Sequence, residues 1–278
     1  MTTWLITGCS SGLGRSLAQA VLEAGFNAVV TARNPRVVEN LTSAFPQTSV
    51  ATALDVTKAD QVAGAVKLAE QRFGGVDVLV NNAGHGYRGA VEEGDEKEVA
   101  DLFAANFFGA VSLIKAVLPG MRARRRGAIL NVSSIAGRLA LPGSGYYSAT
   151  KFAIEGMSDA LRKEVAPLGI RVVVVDPGAF RTDFAGRSLE QAKAAIADYA
   201  DTAGPRRKEN DKTDGTQPGD PARAARVLIK VVEGKTAPFR LLLGSDAVRI
   251  VNAELEAQRQ EIKDWKGISI STDFPVGS

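Results

Sequence analysis

The stretch TWLITGCSSGLGRSLAQAVLEAG, residues 3–25, decides the fold. TWLITG reads as a short apolar strand, CSSGLG as a glycine-rich turn, and RSLAQAVLEA as a helix closed by Gly25. Backbone amides at the start of such a helix, added to its dipole, attract an anion such as a pyrophosphate, and glycines let it come close. Gly8, Gly12 and Gly14 are not spaced as GxGxxG, so a plain tight loop is an alternative. GCSSG also matches G-x-S-x-G, the nucleophile elbow of serine hydrolases, with Ser10 as nucleophile. That rival needs an acid between Ser10 and His85 and an elbow on the first strand.

Outward from this unit, strands and helices alternate, which predicts an α/β protein with a doubly wound, Rossmann-type, seven-stranded parallel sheet. NAVVTA is the second strand and leads to Arg33, after which Asn34 and Pro35 open a helix as cap and first residue. An acid about 20 residues beyond the glycine turn would hold the ribose 2′-hydroxyl of NAD, whereas an arginine accommodates the 2′-phosphate of NADP. No acid lies between Glu23 and Glu39, while Arg33 and Arg36 do. NADP(H) is therefore the expected cofactor.

SVATALDV is a third strand ending at Asp55, and Thr57 with Asp60 resembles a capping box for the next helix. VDVLVNNAG is a fourth strand whose asparagines and glycine suit the crevice outside a parallel sheet. In the helix from about Asp95, Asn106 falls on the apolar stripe Val99, Leu102, Phe103, Phe107, Ala110, Ile114 and Val117. A buried amide costs about 1 to 3 kcal/mol unless bonded, so it needs a structural partner or a task. Phe108 and Leu113 suggest a second face for a partner subunit, and MRARRR complements the helix dipole.

GAILNVSS is a fifth strand, a helix then carries Tyr147 to about Val165, and IRVVVVDPG is a sixth strand, apolar on both faces. Tyr147 and Lys151 are four apart and share one helix face. Lowering a tyrosine pKa by about 3 units takes roughly 4 kcal/mol. One positive charge about 5 Å away supplies roughly 3 kcal/mol at an effective dielectric of about 20, so Lys151 is nearly sufficient. Ser134, at the exit of the fifth strand, offers a second donor to a carbonyl.

Ser188 and Gln191 are expected to cap a short helix to about Ala200, and residues 201–220 carry Gly, Pro and charge with little to bury. Residues 184–220 form the expected substrate-binding flap, since the segment leaves the C-terminal edge of a strand. Asp220 and Pro221 restart helix, FRLLLG is a seventh strand, and Ser245 opens a final helix through Trp265. Residues 1–278 are expected to form a single domain.

The balance of 34 basic and 31 acidic residues, with 45% hydrophobic, argues against nucleic acid as a partner. Cys9 and His85 stand alone in their classes, which excludes disulfide frameworks and Cys/His metal sites. A first strand at Thr3 leaves no room for a leader, no apolar run reads as a membrane span, and a cytoplasmic location is expected.

Taken in order, TGCSSGLG, Asp55, NNAG at 81–84, Asn106, Ser134, Tyr147 with Lys151, and Pro177-Gly178 with Thr182 resemble the short-chain dehydrogenase/reductase family over roughly residues 3–185. TARNP and GYRGAVEE look most like its NADP-preferring, steroid- and retinol-dehydrogenase-like members. The resemblance implies interconversion of a carbonyl and a secondary alcohol, with Tyr147 as general acid/base and Ser134 orienting the substrate oxygen. Lys151 would hold the nicotinamide ribose and lower the tyrosine pKa, and Asn106 would hold a relay water. Gly8, Ser10, Ser11, Gly12, Leu13 and Gly14 would follow the pyrophosphate, Arg33 the 2′-phosphate, and Asp55 and Val56 the adenine. Asn82, Ala83 and Gly84 would line the adenosine ribose side, and Pro177, Gly178, Phe180 and Thr182 the nicotinamide. Ser134, Tyr147, His85 and Phe184 are the candidates for substrate contact. A homodimer or homotetramer is implied by the same resemblance. An NADP-binding sensor without turnover is the competing class, and the complete Asn106, Ser134, Tyr147 and Lys151 set argues against it.

Overall fold

The structure, a computed structural model, describes residues 1–182, 188–208 and 215–274. Nine strands are described: β1 (Thr3–Ile6), β2 (Asn27–Ala32), β3 (Ser49–Ala53), β4 (Val78–Asn81), β5 (Gly86–Arg88), β6 (Gly127–Val132), β7 (Ile170–Pro177), β8 (Leu189–Gln191) and β9 (Arg240–Leu243). The helices are α1 (Gly12–Glu23), α2 (Glu39–Thr42), α3 (Ala59–Phe73), α4 (Glu96–Phe103), α5 (Gly109–Arg124), α6 (Gly145–Val165), α7 (Gly204–Lys208), α8 (Pro221–Glu233) and α9 (Ser245–Ile270). Seven strands form one all-parallel sheet in the order β3-β2-β1-β4-β6-β7-β9, the doubly wound arrangement expected.

Alternation along each strand divides the apolar residues between two cores. Trp4, Ile6, Val30, Val78 and Val80 join Leu17 and Val21 of α1 and Leu228 of α8 on one face. Leu5, Val29, Leu79 and Ile129 join Val62 of α3, Leu113 of α5 and Leu161 of α6 on the other. Covering both faces with helices explains why the strands read as continuous apolar runs.

Between α4 and α5 the chain makes a π-turn, Ala104–Phe108, with Asn106 buried in it. One extra residue in a turn rotates the helix beyond it, so Leu113 is fully buried in the core rather than on a second face. Phe108 alone of that pair is exposed, at 58%. The stretch Glu96–Arg124 reaches a mean hydropathy of 1.6 over 18 residues, enough to cross a membrane by length and composition, contrary to the sequence expectation. Its inner residues Ile114, Val117 and Met121 are buried against this sheet, and Leu102 is buried with Tyr87 and Ala192.

Three further expectations fail for local reasons. Thr57 does not cap α3; its hydroxyl and amide bond the Asp55 carboxylate, and Lys58 occupies the cap position without a side-chain bond. Residues 188–200 are not a helix. β8 pairs in parallel with β5 through Gly86↔Leu189 to Arg88↔Gln191, so strand pairing overrides helix propensity, and a 3₁₀ turn follows at Ala197–Tyr199. The region after 201 also buries more than expected, since Ala203 is only 3% exposed.

At the end of β7, Asp176 is fully buried beside Glu155 of α6, with Arg138 at 3.8 Å. Burial and the neighbouring carboxyl push the Asp176 pKa well above the carboxylate range, and Arg138 offsets this only in part. The native state then keeps a proton that the unfolded chain releases above about pH 4, so stability falls as pH rises from there. Asp176→Asn is expected to flatten that decline in melting temperature between about pH 5 and 8; an unchanged slope would place the dependence elsewhere.

Candidate active site

Parallel strands bring their C-terminal ends to one rim, and the site is built there. Two side chains clasp the glycine turn. The Thr7 hydroxyl accepts from the amides of Asn82 and Ala83, both at 2.9 Å, and donates to the Val80 carbonyl at 3.1 Å. Asn82 Nδ2 donates to the carbonyls of Thr7 and Gly8 at 2.9 and 3.2 Å. Asn82 thus shapes the turn from behind. A Cβ on Gly14 would lie 2.4 Å from Asn82 Nδ2, and Gly8 and Gly12 have φ of +70° and +58°. A Cβ on Gly12 would stand 3.1 Å from Thr182, which brings the post-β7 segment over the turn.

These residues fit a dinucleotide. Ser11, at the cap position of α1, makes no side-chain bond to the helix amides, and the first turn holds no acid, so those amides face the rim free to meet an anion. Arg33 is exposed at the end of β2. Burial raises the Asp55 pKa, but the hydrogen bonds from Thr57 and the charges of Lys58 and Arg33 outweigh it and hold the carboxyl below its ordinary value. Val56 packs against Gly109, where a Cβ would come within 2.5 Å of it. At β7's exit, Ala179 N donates to Asp246 of α9 at 2.7 Å, and Phe180 bridges to Gly219.

Ser134 follows β6, and its hydroxyl accepts from Ala136 N at 3.1 Å and hydrogen-bonds Tyr147. Tyr147 lies on the first turn of α6 and Lys151 on the next, 8% and 6% exposed. Lys151 Nζ donates to the Val132 carbonyl at 2.9 Å and sits 5.7 Å from the Tyr147 ring centroid. The three residues meet as the sequence suggests, but their electrostatics differ from the expectation. Burial pushes the Tyr147 phenol up to about 12; Ser134 and the charges of Arg88 and Arg206 act against this. Burial brings Lys151 down to about 8, with Asp176 opposing. Arg88 and Arg206 thus stand beside Lys151 as cations near the tyrosine.

Asn106 has protein partners on both arms: Oδ1 accepts from His85 N at 2.9 Å, and Nδ2 donates to the His85 carbonyl and to Thr150 Oγ1 at 2.8 and 3.2 Å. It ties the π-turn to the chain after β4 and to α6. A Cβ on Gly84 would lie 2.9 Å from Asn106 Oδ1. His85 turns towards β8, its Nδ1 3.7 Å from Glu190. Ser10 is exposed on the glycine turn. Phe184 lies outside the described residues.

Sequence reasoning misses Arg88, Ser144 and Arg206. Arg88 is the one charge in GYRGAV, and Arg206 belongs to a tract that reads as solvated surface. The segment 188–208 is tied to the body of the fold through Arg207, whose Nη2 meets the buried Glu93 at 2.6 Å and the Ala194 carbonyl at 2.6 Å. Arg207 and the Ile196 amide hold Glu93 down at about 2.

A parallel doubly wound sheet with a glycine turn after β1 and Ser, Tyr and Lys at its rim defines an oxidoreductase of the Rossmann type. The chain belongs to the short-chain dehydrogenase family, whose model matches residues 2–193. It is 38% identical to the oxidoreductase BOA17 of Botryotinia fuckeliana over 97% of this chain and 98% of that protein. It is also 35% identical to bovine (Bos taurus) retinol dehydrogenase 8, over 86% and 80%. A short-chain dehydrogenase from Streptomyces avermitilis superposes with a TM-score of 0.92 at 40% identity, over 98% of this chain and 100% of that one. One from Burkholderia cenocepacia, in complex with NADP, gives 0.73 at 27%, over 94% and 95%. The hydrolase reading of Ser10 falls with this membership.

Arg207→Ala leaves Glu93 buried without its cation, a truncation that costs about 3 to 5 kcal/mol in comparable pairs. It is expected to lower the melting temperature by on the order of 5 °C or more and to speed proteolytic cleavage between residues 193 and 208. Cleavage at the wild-type rate would show that the pair does not hold the segment.

Proposed function

We propose that the chain is an NADP(H)-dependent oxidoreductase interconverting a carbonyl and a secondary alcohol, with Tyr147 as the general acid/base. The observation that carries this reading is the Ser134–Tyr147 hydrogen bond beside Lys151 at the rim next to the glycine turn. NADP is favoured over NAD by Arg33 and by the lack of an acid at the end of β2. The nicotinamide, when bound, supplies or accepts the hydride. The chain's own part is to place a carbonyl oxygen between two hydroxyls. Ser134 Oγ orients that oxygen, and Tyr147 Oη delivers a proton to it. Burial keeps the phenol protonated near neutral pH, the state a donor requires, which favours carbonyl reduction. Asn106 and Lys151 hold the α6 face in place, and Asn106 is the candidate to hold a relay water.

In this reading residues 184–220 serve as the substrate flap of a single domain. The protein acts as a cytoplasmic homodimer or homotetramer, for which the exposed Phe108 and Phe152 on the Asn106 and Tyr147 helices offer apolar contact. Tyr147→Phe is expected to retain NADPH binding and lose turnover by a factor of about 100 or more, followed as NADPH absorbance against a panel of ketones. Undiminished turnover would remove the assignment. In the wild type, alcohol oxidation needs the phenolate and should accelerate as pH rises into the alkaline range, while reduction stays level near neutrality. Arg33→Ala should weaken NADPH by about tenfold or more and leave NADH nearly unchanged, measured by fluorescence titration. Equal losses for both would show that Arg33 does not read the 2′-phosphate.

A further inference from the structure

Most of α9 stands clear of the fold. Asp246 ties its start to Ala179, Ala247 and Val251 are buried, and from Leu255 onward every described residue is exposed. Residues 255–270 thus extend as helix over about 24 Å without cover from the body. A helix of that length is marginal in water by itself, because most helical stability comes from packing an apolar face. This helix has such a face. Val248, Val251, Leu255, Gln258, Ile262 and Trp265 follow one another at alternating steps of three and four, the spacing of a seam between paired helices. Ile262 and Trp265 are 71% and 58% exposed. At the foot of the stripe Leu255 and Gln258 share a groove with Gly156 and the exposed Phe152 of α6, so the apolar surface runs on from the body to the free helix.

The two edges of the stripe carry opposite charge. With a turn of about 100° per residue, Glu254 and Glu261 border it on one side, and Arg259 and Lys266 on the other. Among the described residues no ion pair engages Arg259, Glu261 or Lys266, and Glu254 accepts from Gln258 Nε2 at 2.7 Å. Such a face is complementary to itself in one orientation only. A two-fold axis along the helices sets the acidic edge of one copy against the basic edge of the other, whereas an axis across them sets acid against acid and base against base. In the first case Glu254 of one copy faces Arg259 of the other, and Glu261 faces Lys266. Lipid is the poorer occupant: α9 holds five acidic and four basic residues, while a helix that lies on a membrane presents a basic polar face.

We propose that the free part of α9 pairs in parallel with α9 of a second copy of this chain and buries Leu255, Ile262 and Trp265 between the two helices. Gln258 lies within the seam, where a polar residue fixes register at a cost in stability. The inference does not rest on the reading of Tyr147. It is also separate from a contact through Phe108, since α9 adds its own two-fold axis whether or not that contact forms.

The test is sedimentation equilibrium of the full chain between about 1 and 100 µM, the range in which a short helical interface associates. Ile262→Lys with Trp265→Lys, checked for folding by its melting curve, is expected to halve the limiting mass. A chain with Glu254→Lys and Glu261→Lys should lose the pairing, and so should one with Arg259→Glu and Lys266→Glu; mixing the two should restore it. Orientation is read by Ser269→Cys, since parallel helices bring the two new thiols together while Cys9 stays buried. Oxidation should then join two copies covalently, and should fail when Ile262→Lys and Trp265→Lys are added. A wild type that sediments as a single chain overturns the proposal, as does an unchanged mass in the folded Ile262 and Trp265 variant. Flotation of such a single chain with phosphatidylcholine and phosphatidylglycerol vesicles would assign the stripe to lipid instead. Pairing without the Ser269→Cys cross-link would overturn the parallel arrangement.

Discussion

Everything at the site depends on the strands being parallel. A parallel strand cannot return through a hairpin, so each crossover carries a helix, and every strand ends on the same rim. The rim therefore collects the chain after β1, β4, β6 and β7, four segments far apart in sequence. Thr7 and Asn82 turn this proximity into shape. Their hydrogen bonds tie the end of β1 to the end of β4, so the glycine turn is held from behind by a neighbouring strand. Asn106 does the same one layer out, joining the chain after β4 to α6 through the main chain of His85.

Burial, rather than the pairing of opposite charges, dominates the electrostatics of this rim. Tyr147 is raised, and Lys151 and Arg206 are lowered, with desolvation first in each case. The helical spacing of Tyr147 and Lys151 suggests the reverse, because a Coulomb sum at fixed dielectric ignores the cost of removing both groups from water. Lys151 directs a hydrogen bond at the Val132 carbonyl, so its charge is turned towards the β6 strand end as much as towards the ring. Asp176 lies behind this assembly, and only its ionised form, which burial disfavours, acts to raise Lys151, a coupling that does not show in local sequence.

Much of the architecture is legible in the sequence because it repeats a simple pattern. Apolar runs such as VLVN and IRVVVV, separated by amphipathic helices, admit few alternatives to a doubly wound sheet, and the register follows from their alternation. Ser134, Tyr147 and Lys151 are legible because two are one helical turn apart and the third ends a strand. The features that escape such a reading depend on partners distant in sequence. SLEQAKAAI has good helix formers, yet Leu189–Gln191 extends because β5 offers a free edge. The π-turn at Ala104–Phe108 has no composition signal, and it moves Leu113 from an expected interface into the core. Arg88 and Arg206, 118 positions apart by number, meet only through Ser144.

The chain between Phe180 and Gly219 leaves and re-enters the fold at a single neck. Arg181 N donates to the Gly219 carbonyl, and Gly219 N to that of Ala179, both at 3.0 Å. With its two ends already joined, the excursion is a closed ring as far as chain entropy is concerned, and doubling the length of such a ring costs only about 0.6 kcal/mol. Within that excursion Leu189–Gln191, Arg207 and Thr182 tie back to β5, to Glu93 and to the glycine turn, so the neck concentrates the tolerance of the chain for changed length in the stretches between those anchors.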